Sequence, residues 1–359
     1  MLAPDASDIC HMKEQRMAEN GNPNRVLFYA HFNKFGRVEE YVCYQLEQMR
    51  RIFDKIVLVS NSPLSNQDQG RLERLCDHVS QRDNIGYDFA AWRDGMQHFG
   101  WDELSHCDEV TVMNDTCFGP IFDFQETYDR MQSRGVDFWG MTTNLALTDL
   151  LENSAGETIF APEHIQSYYM TFNASVVSSA VFQDFWQGIQ DYQNVLDVID
   201  NYEIRLTKLL ADHGFTFTSY YDATAYWGKQ EMNKTEVDIS AFSTGDMTKY
   251  NPGFTCNRPL WLLQTVDRYP FIKTKFVRLV PAQLDDIRAF ITTNTGYPMQ
   301  LIDSYIGGRY YDLWKEKDAD VKYVLNSNTF KAGKIVIAPF RLAKRLITGK
   351  NPDVFGQHA

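Results

Sequence analysis

From residue 25 onward, short apolar runs alternate with stretches whose apolar side chains recur every three or four positions. Strands that are apolar along their whole length must be covered on both faces, so this alternation restricts the chain to a mainly parallel sheet flanked by helices. Arg25–Ala30 reads as the first strand and Lys55–Ser60 as the second. Between them Val38, Tyr41, Val42, Leu46, Met49, Ile52 and Phe53 are spaced for one face of a helix. A polar helix near Asp68–Cys76, a short strand at His78–Ser80 and a loop over Gln81–Tyr87 follow. The next helix opens near Asp88, which is placed to cap it. Strand Glu109–Met113 runs into Asn114-Asp115-Thr116-Cys117-Phe118-Gly119-Pro120. Strands at Val136–Met141 and Gln166–Phe172, helices near Ser175–Gln190 and Tyr202–His213, and a strand at Phe215–Tyr220 complete the pattern.

The 359 residues suggest about two domains. The expected divisions are a polar, flexible segment over 1–24, a main domain over 25–235, a helical C-terminal extension over 236–330 and a basic amphipathic tail over 331–359. The extension mixes Pro252, Pro259, Pro270 and Pro281 with aromatic runs. Apolar stretches such as Lys55–Val59 fall far short of the ~20 residues that span a bilayer. Residues 1–24 lack the apolar core of a secretory signal, so the expected location is the cytoplasm. A net charge of −12 opposes general nucleic-acid binding. The tail departs from this balance: Lys331, Lys334, Arg341, Lys344, Arg345 and Lys350 occur with no acid among them, beside Phe340, Leu342, Leu346 and Ile347. Such a segment suits either an anionic membrane surface or the acidic surface of the protein itself. The six cysteines include no CxxC pair, as expected for reduced thiols.

No GxGxxG follows the first strand, and no GxxxxGK[ST], HExxH or GxSxG occurs. A standard dinucleotide oxidoreductase, P-loop NTPase, zincin or serine hydrolase is therefore disfavoured. What remains is Asn114-Asp115 at the end of an apolar strand, where open α/β sheets bind ligands. A carboxylate there, with Asn and Thr beside it, suits a hard divalent ion bridging a diphosphate, although Asn-Asp ahead of Gly-Pro also suits a plain turn. The loop Arg82–Asp88 follows a strand expected to lie nearby, so both loops can share one ligand. Glu203 heads a helix ending at Gly214, a place that the helix dipole also favours for an acid.

Taken together, Asn84–Phe89, Met113–Pro120, Asp137–Gly140, His164–Tyr168, Tyr202-Glu203 and Pro270–Lys275 resemble the rhamnan synthesis protein F family of bacterial polysaccharide rhamnosyltransferases. The resemblance implies the GT-A glycosyltransferase fold, a Rossmann-like mixed sheet flanked by helices. It also implies an inverting transfer of a deoxyhexose, L-rhamnose from dTDP-rhamnose, to a lipid-linked or oligosaccharide acceptor of a growing surface polysaccharide. In that reading His31, Asn61, Arg82, Asn84, Gly86, Asn114 and Asp115 bind the donor, and Asp115 holds a divalent cation, Mg²⁺ or Mn²⁺. Glu203 is the general base, with His164 and Asp88 as the other catalytic candidates, and Trp139, Gln166 and Tyr168 line the acceptor site. One departure stands out, since GT-A enzymes commonly carry Asp-x-Asp and this chain has a single carboxylate in Asn114-Asp115-Thr116. The alternative is a catalytically silent glycan-binding or scaffold domain of the same fold. A sugar nucleotidyltransferase is disfavoured, because no Gly-rich, Lys-bearing loop follows the first strand.

Overall fold

A computed structural model describes residues 24–144, 147–152, 154–222, 259–275 and 284–308. The expectations for 1–23, for 223–235 of the main domain, for 236–258, 276–283 and 309–330 of the extension and for the tail lie outside these residues. The chain divides into two compact units, 1–302 and 303–359, and the fold described here is that of the first.

Twelve strands are found among the described residues: β1 Arg25–His31, β2 Lys55–Ser60, β3 His78–Gln81, β4 Glu109–Asn114, β5 Cys117–Phe118, β6 Phe138–Asn144, β7 Leu147–Glu152, β8 Thr158–Ala161, β9 His164–Ile165, β10 Tyr169–Asn173, β11 Phe217–Tyr221 and β12 Ile272–Lys273. The main sheet has the order β11-β6-β10-β4-β1-β2-β3, with β9 pairing with β6. The β4-β1-β2-β3 half is parallel, β10 runs antiparallel to both β4 and β6, and β11 is parallel to β6. This is the mixed, mainly parallel, helix-flanked sheet expected from the alternation.

The continuous burial of β1, β4 and β6 explains their apolar runs, since helices cover both faces. On one face, helix Tyr87–Phe99 buries Phe89 and Trp92 against Phe28, Val57 and Val112, joined by Trp186 and Tyr202 from later helices. Trp92 Nε1 donates to the Met113 carbonyl at 3.0 Å, which ties this helix to the end of β4. On the other face Tyr128, Trp139, Tyr169 and Phe271 form an aromatic cluster.

Register aligns the site. Ala30 of β1 pairs with Asn114 of β4, and His31 pairs with Ser60 of β2, so three strands end at one level. In open parallel sheets the loops leaving that edge form the ligand crevice.

Two local expectations change. Asp88 does not cap its helix: Gly86 occupies that position at φ 72°, and Asp88 lies in the first turn. A Cβ on Gly86 would sit 2.6 Å from the Ala90 Cβ and 3.0 Å from Asp191 Oδ1, so this turn requires glycine. Nor does Glu203 head a helix. Val195–Val198, a π-helical turn Ile199–Glu203 and helix Ile204–Asp212 run on continuously, with Glu203 at φ −60°, ψ −53° and its side chain capping nothing.

Candidate active site at the strand ends

The strand-end loops bring together Asp88, Asn114 and Asp115. Asn114 Nδ2 donates to Asp88 Oδ2 at 2.7 Å, while Asn114 Oδ1 accepts from Thr116 Oγ1 at 2.6 Å and Thr116 N at 3.2 Å. The asparagine is thereby locked in one orientation and links the helix carrying Asp88 to the end of β4. Asp115 Oδ2 accepts from Phe32 N at 3.1 Å, and the Asp115 carbonyl accepts from Tyr41 Oη at 2.7 Å.

Both carboxyls are set toward the neutral form. Burial pushes Asp115 up to about 8; the Phe32 N–H opposes this and the charge of Asp88 adds to it. Burial likewise raises Asp88 to about 6, with Asn114 and Lys273 countering and Glu203 adding. Two carboxyls that do not ionise freely together, one of them titrating near neutrality, are a feature of functional sites.

His31 and Asn61 lie beneath them, almost fully buried. His31 Nδ1 lies 2.9 Å from Ser60 Oγ, and burial lowers its pKa to about 4, so the ring is neutral. Its Nε2 is buried without a hydrogen-bond partner, 3.9 Å from Asp115 Oδ2. The side-chain nitrogen of Asn61 is likewise buried and unpartnered. Two orphaned polar atoms at neighbouring strand ends are unusual in a protein interior.

The remaining expected residues are distributed as follows. Arg82 is spent on structure: its three nitrogens reach Asp94 at 2.7 Å, Asn61 at 3.1 Å, the Ile85 carbonyl at 2.6 Å and Asp191 at 2.9 Å. Gly86 serves the same turn, donating its N–H to the Tyr192 carbonyl at 2.8 Å, and Asn84 is half-buried just ahead of it. Glu203 is close enough for its charge to act on Asp88, and its Oε1 accepts from Ser167 N at 3.4 Å. His164 is 3% exposed, its Nδ1 2.7 Å from the Pro162 carbonyl and its Nε2 3.3 Å from Asn144 Nδ2, so both ring nitrogens are occupied within the core. Gln166 accepts from Thr142 Oγ1 at 2.5 Å. The Tyr168 hydroxyl lies 2.5 Å from that of Tyr269 and 3.0 Å from Thr142 Oγ1. Trp139 packs between Tyr128 and Tyr169, with ring centroids 5.3 and 5.4 Å away, inside the aromatic core.

Sequence reasoning assigned no role to Lys273. Strand β12 pairs antiparallel with β5, Lys273 opposite Cys117, and this places Lys273 Nζ 2.9 Å from Thr116 Oγ1 and 4.0 Å from the Tyr168 ring centroid. The available signal was its place in the Pro270–Lys275 stretch.

A family model described as rhamnan synthesis protein F matches residues 56–343. Over 178 residues the chain is 33% identical to the uncharacterized protein y4gN of Sinorhizobium fredii (strain NBRC 101917 / NGR234), covering 49% of this chain and 43% of that one. It is 26% identical over 238 residues to virulence protein VirA of Vibrio anguillarum (strain ATCC 68554 / 775), covering 63% of this chain and 66% of that one. The chain thus spans less than two thirds of the length of these relatives. Among solved structures, the mannosyltransferase Ktr4p from S. cerevisiae in complex with GDP is similar with a TM-score of 0.33 and 5% identity, covering 59% of this chain and 79% of that one. The family match begins inside β2, takes in Asp88, Asn114, Asp115, Glu203 and Lys273, and covers most of the chain; the chain belongs to the rhamnan synthesis protein F family.

Proposed function

We propose that this protein is an inverting glycosyltransferase that moves a deoxyhexose, L-rhamnose from dTDP-rhamnose, to a hydroxyl of a growing bacterial surface polysaccharide. The observation that carries this reading is the convergence of Asp88, Asn114 and Asp115 at the ends of parallel strands, with Glu203 close enough to act on Asp88. Family membership supports the glycosyltransferase class.

Departure of a nucleoside diphosphate leaves positive charge on the sugar and negative charge on the phosphate, so the site must hold donor and acceptor on opposite sides of the anomeric carbon. Asp115 and Asn114 form the donor side. Among the described residues no group of three or more His, Cys, Asp or Glu side chains could hold a metal ion. The residues fit the other mode of binding, in which one or two carboxylates share an ion with substrate phosphates. Asp115 would hold it, and the unpartnered His31 Nε2 beside that carboxylate is compatible with a cation there. When bound, such an ion acts as a Lewis acid toward the leaving phosphate. Glu203 takes the proton of the acceptor hydroxyl at its carboxylate, whose Oε1 accepts from Ser167 N. Gln166 and Tyr168 line the acceptor side.

The acceptor is lipid-linked or an oligosaccharide, and the basic 331–350 segment holds the enzyme at the inner face of the anionic cell membrane. No helix among the described residues is long and apolar enough to cross a membrane. Each basic residue near such a surface contributes about 1 kcal/mol, so deleting 331–359 should release the protein from anionic liposomes while leaving transfer to a soluble acceptor intact. Equal sedimentation of both forms would remove this part of the reading.

The decisive experiment is a thermal-shift panel of nucleotide-sugars with EDTA, Mg²⁺ or Mn²⁺, followed by product analysis with the ligand that stabilises most. Stabilisation by dTDP-rhamnose with release of dTDP supports the proposal. Binding without turnover of any donor would favour a catalytically silent glycan-binding domain, and full activity in excess EDTA would remove the cation.

A further inference from the structure

Resting on the reading of the strand ends as a donor site, we propose that Lys273 is a built-in cation for the diphosphate of the donor. Glu203 and Lys273 both act electrostatically on Asp88, and a polyanionic diphosphate entering beside these carboxylates is favoured by a cation already in place. Lys273 is fixed in that place by several independent contacts. Its backbone pairs with β5, Thr274 N donates to the Thr116 carbonyl at 2.9 Å, and Ile121 N donates to the Pro270 carbonyl at 2.9 Å.

Gly119 makes this close seating feasible. It adopts φ 125°, and a Cβ there would lie 2.3 Å from the Pro270 carbonyl oxygen and 2.8 Å from Phe271 Cδ1. Any larger residue would push the 270–274 segment away from the strand end. Phe271 is anchored in turn against Phe124 and Tyr169, and the Tyr269 hydroxyl meets that of Tyr168. The lysine stem therefore leaves a rigid base.

The ammonium is placed for binding rather than for a structural ion pair. Its contacts are the Thr116 hydroxyl and the face of Tyr168, and among the described residues no carboxylate lies within ion-pair distance of it. Arg82, by contrast, is committed to Asp94 and Asp191. Thr116 also holds Asn114, so one hydroxyl couples the cation to the asparagine that bridges to Asp88. A lysine acts on phosphate as a point charge, without the shape-matched fork of arginine. The ligand class this arrangement fits is a nucleoside diphosphate, with Lys273 acting on the phosphate that becomes the leaving group.

The test is a titration of the full chain with dTDP, UDP and GDP and with the matching monophosphates, in EDTA and in Mg²⁺, for the wild type, Lys273→Met and Lys273→Arg. Methionine keeps the stem against Tyr168, and an unchanged melting temperature without ligand checks that the fold is intact. Lys273→Met should weaken the best-bound diphosphate by ~10-fold or more, the scale of one charge-assisted contact, while the monophosphate changes little. Lys273→Arg should recover most of the loss. Thr116→Val, which removes the seat of the ammonium, should move the discrimination in the same direction by less. Unchanged diphosphate affinity in Lys273→Met, or equal losses for mono- and diphosphate, overturns the role of Lys273 and leaves the glycosyltransferase reading standing. No nucleotide binding by the wild type in either buffer overturns both.

Discussion

The two ends of the same parallel strands are built on opposite principles. At the start of β1 and β4, Arg25 Nε meets Glu109 Oε2 at 2.5 Å, almost fully buried, and the guanidinium lies 4.5 Å from the Tyr128 ring centroid. Around them the carboxylates close backbone ends: Asp54 accepts from Arg25 N, Asp77 from Ile56 N and Arg50, and Asp137 from Thr216 N. Partial burial would raise Asp77, yet the Ile56 N–H and Arg50 outweigh it and hold its carboxyl below the usual value. At the other end burial wins, leaving Asp88 and Asp115 raised and His31 lowered, with buried polar atoms unpartnered. One edge satisfies its charges and contributes stability. The other keeps polar groups unsatisfied, as sites that must bind something commonly do.

Substitutions at the two edges should therefore have opposite signatures. The largest effect is expected at Glu203, where glutamine keeps size and hydrogen bonding but removes proton acceptance. Turnover should fall ~10²- to 10⁴-fold with donor affinity nearly unchanged. Because Glu203 sits within continuous helix and caps nothing, little stability should be lost. Wild-type turnover in Glu203→Gln would move the base to Asp88 or His164, and His164→Ala would choose between them.

On the stabilising edge, Glu109→Ala leaves Arg25 buried without its partner. A loss of about 3–5 kcal/mol in urea unfolding is expected, with activity per folded molecule retained. A loss of turnover at unchanged stability would contradict the division between the two edges.

Asp115→Asn reverses that pattern. Removing a carboxyl that burial disfavours should leave the melting temperature unchanged or higher, while turnover drops by ~10²-fold as support for the leaving phosphate is lost. A clear fall in melting temperature would mean that Asp115 is structural.

The smallest effect is a pH dependence. The Asp88 carboxyl, raised to about 6, favours the folded state fully below the ordinary value of 3.8, and that contribution is lost as pH rises through 6. Asp88→Asn should thus gain stability relative to the wild type between pH 4 and pH 7. A wild-type-minus-variant difference that is flat across this range would show that Asp88 is not perturbed.

How much of this was legible varies with the range of the contact. Apolar runs announced β1, β2, β4 and β6, because near-complete burial of a strand leaves a local imprint on composition. Two-residue strands such as β5, β9 and β12 have no such imprint. Asn114 and Asp115 were legible as polar residues ending an apolar strand. The positions of Asp88 and Glu203 within their helices were not, since a left-handed glycine cap and a π-helical turn depend on packing against Asp191 and the core. Arg82 looked like a ligand-binding cation until Asp94 and Asp191 were found around it. Lys273 gave no signal of its own, because its partner Thr116 lies 157 residues away.

The sequence alone determined the helix-flanked sheet, the succession of its main strands along the chain and the strand ends at which polar residues gather, since each follows from patterns within a few residues. Only the tertiary structure decided which of those polar residues are satisfied, which carboxyls stay near neutrality and which cation faces them. Those properties depend on desolvation and on charges brought from distant segments, and no local pattern encodes either.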